Sequence, residues 1–413
     1  MKNSILFIIF LFSANSLASS LTDIVNKGLE YSLENKISDE EKSASEYKLE
    51  QSLASYWPSV ELSAKSRTIN RGEADNYIRD EDENTMLNFS VRYTLLDVAR
   101  DSQSESARLS VAGRELNSKI QKEKNTFNII KAYFNVWQKE QDKRNIKSYL
   151  DSTTVLTQKV KARVNGGLSQ ESDYIRAKVA LDEARARYEN IEKELKEGII
   201  RLNALVGEDI SITEKHNKPL SVPEFIKENE VITISPLLKM LKTEVDVKKY
   251  EYKAALRENL PKLQLVGSYK EHFKKTTSPD MQVYLQVTMP LFDGGVIRNR
   301  ANELSSQMKI SEYKMQTALR ELNRNYSEVK SNLEREVKLQ KIYNETRSNS
   351  QKNITLYESE FMLGTRPLSD LISAHRELLT ASLSMTSSRM NYYVNLAAMY
   401  NLYGDTKESI KFM

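Results

Sequence analysis

Cysteine is absent from the 413 residues of this chain, and glycine and proline are scarce, at 12 and 8 residues. The lack of cysteine excludes disulfide bonds, thiolate chemistry and a lipid attached through an N-terminal cysteine. The scarcity of glycine and proline, combined with 29% charged residues, favours long helices over a β-sandwich or a doubly wound sheet. The composition therefore predicts a mostly α protein.

A large excess of one sign of charge is also missing. The formal net charge is only +4, and basic residues alternate with acidic ones along the chain instead of clustering. A dedicated nucleic-acid surface needs a concentrated basic patch. We therefore expect no nucleic-acid partner.

Long hydrophobic runs are missing except at the start of the chain. The run Ile5–Phe12 follows Lys2 and precedes the small residues of Ser16-Leu17-Ala18. It is far shorter than the roughly 20 residues of a membrane-spanning helix, and the pattern is typical of a signal peptide with its cleavage site. We predict that residues 1–18 are removed and that the mature chain leaves the cytoplasm without a transmembrane helix.

Motifs of enzymes are missing as well. The three histidines, His216, His272 and His375, are far apart in sequence, and no phosphate-binding loop, zinc-protease motif or nucleophile elbow occurs. His375 is interpreted as a surface residue of a helix rather than as a pH sensor. The sequence predicts no enzymatic activity, no metal site and no cofactor.

What the chain does contain is one unit that occurs twice. Leu95-Leu96-Asp97 closes an apolar run and returns in the second half as Leu291-Phe292-Asp293. A repeat of this length is too long for a solenoid and indicates duplication of a whole strand-and-helix module. We predict a first repeat over residues 19–218, a second repeat over 219–405 and a short C-terminal tail over 406–413.

Two segments in each repeat alternate between apolar and polar residues, which predicts four β-strands and hence a small β part. Segments of about ten residues with this alternation are typical of outer-membrane β-barrels. The alternative is a two-sided hairpin that lies on the core of a protein in water. The apolar positions are Val60, Leu62 and Ala64, then Leu87, Phe89, Val91, Tyr93 and Leu95, then Leu263, Leu265 and Tyr269, and finally Val283, Leu285, Val287, Met289 and Leu291.

Four strands are too few to close a barrel, and lipid offers an open sheet edge no hydrogen-bond partners. A membrane location therefore requires several chains to share one barrel. Three chains would supply twelve strands, enough for a barrel with an aqueous interior. The acidic segment 71–84 would then lie at the outer end, where a solvated loop is favoured over a metal site.

Long helices are predicted in the second half of each repeat. Residues 98–164 contain no proline and only Gly113, and residues 296–361 contain neither proline nor glycine. Asn165-Gly166-Gly167 and Gly364-Thr365-Arg366-Pro367 follow these stretches and are suited to reversing the chain into an antiparallel partner helix. Each repeat is therefore predicted to contain a long helical hairpin.

The returning helix of the first repeat, expected from Leu168 to Val206, carries a seam for packing against other helices. Its apolar residues recur at alternating steps of three and four, as in a coiled coil. These positions are Leu181, Ala184, Tyr188, Ile191, Leu195, Gly198, Leu202 and Leu205.

The order of signal peptide, helix, two strands, long helix, glycine turn and returning helix, with the module present twice, resembles the TolC-type outer-membrane efflux and secretion channels. The resemblance covers residues 21 to about 405. It implies a homotrimer with a twelve-stranded β-barrel in the outer membrane, continued by a twelve-helix coiled-coil barrel in the periplasm. Its most specific motifs are Met289-Pro290-Leu291-Phe292-Asp293-Gly294-Gly295, Gly167-Leu168 with Asp173, and Gly364-Thr365-Arg366 with Asp370.

The function implied by this resemblance is that of the exit duct of a tripartite efflux or type I secretion system. Such a duct is a passive conduit gated at its periplasmic helix tips. It would depend on a periplasmic membrane-fusion adaptor and on an inner-membrane pump driven by ATP (an ABC pump) or by protons. The alternative is a periplasmic coiled-coil adaptor or scaffold protein without a pore. The sequence does not select the cargo.

The resemblance also implies which residues form the closed constriction. It places Arg366 and Asp370 there, with Ser172 and Asp173 of the neighbouring hairpin as candidate partners. An ion pair repeated around a threefold axis would have to break in every copy when the channel opens. Three Asp370 carboxylates near the axis would attract cations and repel anions.

Two positions depart from the family pattern. Phe361 stands where a tyrosine hydroxyl helps to hold the constriction closed, and Ser373 stands where a second ring of acidic residues occurs. Phenylalanine has no hydroxyl group to donate or accept a hydrogen bond. We therefore expect the closed state to depend more on Arg366 and cations to bind less tightly.

The glycine turns between paired helices are the predicted docking tips for the adaptor. An exposed turn can accept a helical hairpin of the partner tip to tip, and threefold repetition strengthens such a small interface. The residues assigned to this contact are Gly166, Gly167, Leu168 and Ser169 in one turn and Gly364, Thr365, Arg366, Pro367 and Leu368 in the other.

Overall fold

The predicted signal peptide and the acidic segment 71–84 lie outside the part of the chain that the structure describes, so the predictions made for them stay predictions. The computed structural model describes residues 20–65, 86–225, 228–272 and 280–413, except residues 213, 215 and 217.

The described chain is mostly helical, with four strands. The helices are α1 (Leu21–Tyr31), α2 (Leu33–Ala54), α3 (Val98–Asn165), α4 (Glu171–Val206), α5 (Glu228–Ile234), α6 (Pro236–Arg257), α7 (Val296–Met362) and α8 (Leu368–Tyr403), followed by a 3-10 helix (Thr406–Phe412). The strands are β1 (Ser59–Lys65), β2 (Met86–Leu96), β3 (Lys262–His272) and β4 (Asp280–Thr288).

The two predicted long helices are confirmed, since α3 has 68 residues and α7 has 67. Asp97 and Asp293, the aspartates of the repeated motif, stabilise the first turns of these helices. The Asp97 carboxylate accepts a hydrogen bond from the backbone N–H of Ala99 at 3.0 Å, and the Asp293 carboxylate accepts one from that of Ile297 at 2.8 Å. Backbone N–H groups in the first turn of a helix have no partner within the helix, so these carboxylates cap them.

The four strands form one antiparallel sheet in chain order, with β1 and β4 at its edges. Val60 lies opposite Val91, and Leu265 lies opposite Leu285. The predicted apolar positions of neighbouring strands therefore face the same side of the sheet.

The predicted end of the fourth strand is wrong. Alternation extended it to Leu291, whereas β4 ends at Thr288. Pro290 has no N–H group to donate to a strand ladder, and Gly294 and Gly295 adopt φ angles of 66° and 87° that turn the chain into α7. The apolar residues after Thr288 thus lie beyond the sheet.

The chain divides into two compact units, each built from both sequence repeats. One unit contains the chain up to Lys36 together with Ile120–Ser235 and Glu321–Met413, and we call it the helical unit. The other contains Ile37–Lys119 and Pro236–Arg320, and we call it the sheet unit. The repeat boundaries predicted from the sequence describe the duplication and stay a prediction.

The packing seam predicted for α4 is largely confirmed in the helical unit. Leu181, Ala184, Ile191 and Leu202 are buried, but Leu205 is exposed, and Val206 is buried in its place. A straight helix turns once per 3.6 residues, so a strict repeat of 3.5 drifts around its surface over several turns. The prediction for Leu205 is wrong for this reason.

The largest aromatic cluster of the helical unit surrounds His216, to which the sequence assigned no role. The ring of Phe134 stacks on that of Tyr393 with centroids 4.6 Å apart, and the Trp137 ring centroid lies 5.8 Å from that of His216. Tyr133 Oη lies 2.9 Å from His216 Nε2. Through this cluster the loop after α4 packs against α3 and α8.

Candidate functional site

Both predicted helix tips end in the same backbone motif. In the first, Gly167 has a φ of 70°, its N–H donates to the Val164 carbonyl, and the Leu168 N–H donates to the Arg163 carbonyl at 2.8 Å. This pair of bonds is a Schellman motif, which satisfies carbonyl groups at a helix end. Because this motif occupies the residues after α3, α4 begins at Glu171 rather than at the predicted Leu168.

The second tip repeats this geometry after α7. Gly364 has a φ of 77°, its N–H donates to the Phe361 carbonyl, and the Thr365 N–H donates to the Glu360 carbonyl at 3.0 Å. Pro367 then stands at the N-cap of α8, where its fixed φ fits and its missing N–H costs no bond. The tip is therefore a compact, defined turn.

The two tips present different apolar side chains from those predicted. Leu168 is exposed, as expected, but Leu368 is only 2% exposed and packs with Phe361 in the core of the tip. Leu363, at 78% exposure, is the apolar side chain that the second turn presents instead. The prediction that Leu368 flanks an exposed contact is wrong, because the first turn of α8 faces inward.

Arg366 lies in an ionic cluster within its own hairpin. Its Nε donates to the Glu360 carboxylate, and one of its terminal nitrogens lies 3.1 Å from Asp370 Oδ2. Its guanidinium lies 3.8 Å from the centre of the Tyr357 ring. The hydrogen bond to Glu360 raises the pKa of Arg366 above its ordinary value. The cluster therefore holds Arg366 as a positioned cation.

Sequence reasoning found Arg366 and Asp370 but missed Glu360 and Tyr357. The sequence did contain a signal for the missed pair. Tyr357 and Glu360 are three residues apart, so they face the same side of the last turns of α7. Ser172 and Asp173, two other predicted constriction residues, have hydrogen-bond partners within their own turn. Ser172 Oγ donates to the side-chain oxygen of Gln170 at 3.3 Å, and the Asp173 N–H donates to the Gln170 carbonyl at 3.0 Å.

Phe361 and Ser373 have different environments. Phe361 is buried in a cluster with apolar side chains of α3, α4 and α8. Ser373 is exposed on α8. Burial explains why a residue without a hydroxyl group is accommodated at 361, since the ring contributes packing there.

Arg163 links the two tips inside one chain and was not predicted. A terminal nitrogen donates to the Met362 carbonyl at 2.9 Å, and Nε donates to Ser169 Oγ at 3.2 Å. Its guanidinium also lies 5.1 Å from the centre of the Phe361 ring. The last turn of α3 is therefore bonded to the last turn of α7.

His375 is buried at 7% exposure, so its assignment to the surface is wrong. It shares one stripe of α8 with the buried residues Leu368, Leu371 and Leu379, at helical spacing. Its Nε2 has no hydrogen-bond partner among the described residues. Burial, the largest cause, lowers the pKa of the imidazole.

The sheet is a second candidate functional site, because the residues on both of its faces are at least partly exposed, except for the buried Val266. Val60, Leu62, Val283 and Leu285 are each more than 60% exposed on the apolar face. The opposite face carries mostly polar residues, such as Gln264, whose side-chain nitrogen donates to Thr94 Oγ1 at 3.1 Å. A sheet of a protein in water normally buries its apolar face.

Two further features of the described residues concern metal binding and helices that could cross a membrane. No cluster of three or more metal-ligating side chains occurs among the described residues. None of the described helices combines the length and the hydropathy needed to cross a membrane.

Comparison with known proteins finds a family model that matches part of the chain and several distant relatives. Residues 229–405 match the model of the outer membrane efflux protein family. The chain is 20% identical to outer membrane protein TolC of Escherichia coli (strain K12) over 305 residues, which are 68% of this chain and 60% of that relative. It is 19% identical over 295 residues to outer membrane protein TolC of Vibrio cholerae, covering 68% of this chain and 67% of the relative.

Solved structures share the fold. The outer membrane protein VceC of Vibrio cholerae matches with a TM-score of 0.81 and 14% identity, over 93% of this chain and 96% of that one. The open state of the MtrE outer membrane channel of Neisseria gonorrhoeae matches with a TM-score of 0.81 and 17% identity, over 94% and 89% of the two chains. The chain spans only 60% of the length of the Escherichia coli relative, and these solved structures, at 14% and 17% identity, show a shared fold. By its matched segment, its relatives and its fold, this chain is similar to TolC-like outer-membrane channel proteins.

Proposed function

We propose that this chain is the outer-membrane exit duct of an export system, a homotrimer that passes cargo without supplying energy. Three copies contribute four strands each to one barrel and four long helices each to one periplasmic tunnel. The observation that carries the proposal is the sheet with a mostly apolar exposed face, a largely polar opposite face and two open edges.

Lipid accounts for each of these three features. An apolar outer face is stable against acyl chains, and a polar inner face suits an aqueous lumen. The unpaired backbone groups of β1 and β4 need partners, since hydrocarbon provides none. Pairing β4 of one copy with β1 of the next supplies them and closes the barrel.

The dimensions of the strands agree with a membrane span. The longest strands, β2 and β3, have 11 residues each. At about 3.4 Å per residue they extend about 37 Å, and a tilt of about 40° leaves a height of about 28 Å. The apolar band of an outer-membrane barrel is about 25 Å tall.

We further propose that the ionic cluster of Arg366 belongs to the gate. Its three members, Glu360, Arg366 and Asp370, lie at the turn between α7 and α8, next to the bond from Arg163 to the Met362 carbonyl. Opening requires the tips to separate, and separation would break bonds of this kind in all three copies. Ser172 and Asp173 remain candidate partners across the boundary between copies.

The same tips are the proposed docking site of the periplasmic adaptor. Gly166 and Gly167 form an exposed turn beside Leu168, and Leu363 replaces Leu368 as the exposed apolar residue of the other turn. Adaptor and inner-membrane pump are required because the sequence contains no phosphate-binding loop through which ATP could drive export. Both ATP-driven and proton-driven pumps fit this requirement.

The proposal is tested by fractionation and electrical recording. We expect the protein in the outer-membrane fraction, as a trimer in detergent that resists heating in SDS, and as a conducting pore in planar lipid bilayers. A monomer that stays dispersed in buffer without detergent would contradict the proposal. It would favour the second candidate, a periplasmic coiled-coil adaptor or scaffold, which explains the helices but leaves the exposed apolar sheet unexplained.

A further inference from the structure

A cavity with a polar lining lies inside the helical unit, and no residue of the glycine turns lines it. Its volume is about 480 Å³, and sites for small molecules usually have volumes from about 300 to 1,000 Å³. We call it the polar cavity. Its lining includes Asp142 of α3, Arg335 and Glu336 of α7, and Ser384, Ser387 and Asn391 of α8.

Two carboxylates of the polar cavity are buried. Asp142 is 6% exposed and Glu336 is 2% exposed. Removing a charged group from water costs free energy unless hydrogen bonds and an opposite charge compensate it. The partners of these two carboxylates therefore decide whether the cavity needs further positive charge.

Asp142 has neutral hydrogen-bond partners. The Thr386 hydroxyl donates to Oδ1, and the Gln138 side-chain nitrogen donates to Oδ2 at 3.3 Å. Lys139 acts on Asp142 through its charge, but its ammonium group is paired with Glu194. Burial, the largest cause, raises the pKa of Asp142 to about 6. The carboxylate is therefore ionised at neutral pH, and its charge is compensated only in part.

Glu336 has a charged partner that is itself largely in water. A terminal nitrogen of Arg335 lies 2.7 Å from Glu336 Oε1, whereas the Arg335 side chain is 59% exposed. Among the described residues that line the polar cavity, Arg335 is the one cation, against two carboxylates. One cation of this kind does not compensate both charges. The cavity thus has the volume and the charge to accept a further cation.

The side of α8 that lines the polar cavity consists of small polar residues at helical spacing. They are Ser384, Ser387, Ser388 and Asn391. The equivalent of Ser388 in the first repeat, counted from the glycine turn, is the buried Ile191. An apolar residue thus meets the needs of packing at this position, whereas serine leaves space and adds a hydroxyl group. Packing alone does not account for the polar lining.

We propose that the polar cavity binds a small aliphatic diamine, with one ammonium group near each of the two buried carboxylates. This inference goes beyond the proposed function and does not depend on it. Ammonium groups carry only hydrogen-bond donors, and carboxylate oxygens and serine hydroxyls can accept them. Leu339 and Leu383, which also line the cavity, provide apolar surface for the methylene groups between the two charges.

A diamine fits this lining better than a divalent metal ion. Ca²⁺ is held by six to eight oxygen ligands at short distances. No group of three or more metal-ligating side chains occurs in the part of the chain that the structure describes. The volume of the cavity also exceeds what a single ion fills.

Isothermal titration calorimetry of the detergent-solubilised protein tests the site with 1,4-diaminobutane and 1,6-diaminohexane. We expect saturable binding at about pH 7.5, at least about tenfold tighter for the better diamine than for 1-aminobutane, which has one ammonium group. The uncharged 1,4-butanediol should not bind. Affinity should fall at about pH 5, because Asp142 is then mostly protonated.

Variants locate the binding. Asp142→Asn and Glu336→Gln should each weaken diamine binding by roughly tenfold, and Ser387→Leu should abolish it by filling the cavity. Glu192→Gln is the matched control, because Glu192 pairs with Lys143 on the neighbouring helix, at 2.6 Å, and does not line the cavity. Circular dichroism shows which variants are folded, and Ser387→Leu leaves both carboxylates in place if a charge variant is not.

Several outcomes would overturn the proposal. Neither diamine binds the wild type at about pH 7.5, or both bind the wild type and the folded cavity variants equally. Affinity that stays constant down to about pH 5 would also contradict a role of Asp142. None of these results bears on the proposed duct, which fractionation and conductance test separately.

Discussion

Among single residues, Arg366 is the one whose replacement should change the proposed gate most clearly. It is bonded to Glu360 and Asp370 and lies over the ring of Tyr357. Arg366→Glu would place like charges beside both carboxylates and should loosen the tip in all three copies of the proposed trimer. We expect a severalfold higher single-channel conductance in planar bilayers.

Arg376→Glu provides a matched control on the same helix. A terminal nitrogen of Arg376 lies 2.6 Å from Glu183 Oε2, in an ion pair between α8 and α4 that is away from the turn. The charge change is identical, and conductance should remain close to that of the wild type. Equal conductance of the wild type and both variants would count against a role of the Arg366 cluster in the gate.

Two buried ionisable residues of the helical unit should make stability depend on pH in opposite directions. Burial lowers the pKa of His375, and the charged groups that act on it are Glu358 on α7 and Lys159 on α3. The unfolded chain therefore takes up this proton first, and the free energy of unfolding falls as the pH drops through about 6.5.

Burial raises the pKa of Asp142 to about 6. The hydrogen bonds from Thr386 and Gln138 favour the charged carboxylate and so oppose this effect.

For Asp142 the sign is reversed. The folded state takes up the proton near pH 6 and the unfolded state only near 3.8, so this residue adds stability as the pH falls between these values. We expect His375→Leu to reduce the loss of melting temperature on acidification to about pH 5, and Asp142→Asn to increase it, each by a few degrees. Circular dichroism in detergent measures both. Shifts of the same sign in the two variants would contradict these assignments.

At the scale of elements, the turns at the tips depend on glycine for a stated backbone reason. Gly364 has a φ of 77°, and nothing lies within 4 Å of the place that a Cβ atom would occupy. Gly364→Ala should therefore cost only the backbone strain, about 1 kcal/mol of unfolding free energy. Denaturant unfolding of the detergent-solubilised protein measures this loss.

Gly166 supplies the control for this prediction. It lies in the other turn at an ordinary φ, and a Cβ atom there would have carbonyl oxygens at 3.5 Å and 3.6 Å as its nearest neighbours, an ordinary contact. Gly166→Ala should leave stability nearly unchanged, whereas Gly167→Ala, with a φ of 70°, should behave like Gly364→Ala. Three equal effects would show that the left-handed conformation is not what these turns require.

At the scale of the whole molecule, the absence of cysteine allows a direct test of the shared barrel. Cysteines introduced on β1 and β4 as Glu61→Cys and Gln286→Cys would be the only thiols present. In one chain β2 and β3 separate these strands, and the register places Glu61 in line with Gln282, four residues along β4 from Gln286. At about 4.8 Å per strand and about 3.4 Å per residue, the two thiols are about 20 Å apart. In the proposed trimer β1 and β4 of different copies are neighbours.

A short bifunctional thiol reagent should therefore convert the double variant into covalent dimers and trimers on a denaturing gel. Each single variant should remain monomeric, because a threefold arrangement does not bring two copies of the same edge strand together. A double variant that stays monomeric, tested with cysteines at successive positions along β4, would argue against the closed barrel.

Much of the fold could be predicted from the sequence because it depends on local rules. The stretches without proline and glycine became α3 and α7, and apolar alternation identified all four strands to within a few residues. The duplicated Leu-Leu-Asp and Leu-Phe-Asp motifs were recognised as a repeat, and the capping bonds of Asp97 and Asp293 explain why an aspartate recurs there. Periodicity and capping act over a few residues, so they are readable without a structure.

What the tertiary structure alone decided was which side chains meet and which are covered. No pattern in the sequence brings Arg163 to Met362, and none reveals that α8 buries Leu368 and His375 while leaving Leu363 at the surface. Burial depends on the helices that pack against a given face, and these come from distant parts of the chain. The sequence by itself determined helices, strands and turns because they follow from neighbouring residues, whereas the contacts at the tips and the uncovered faces of the sheet follow from packing across the chain.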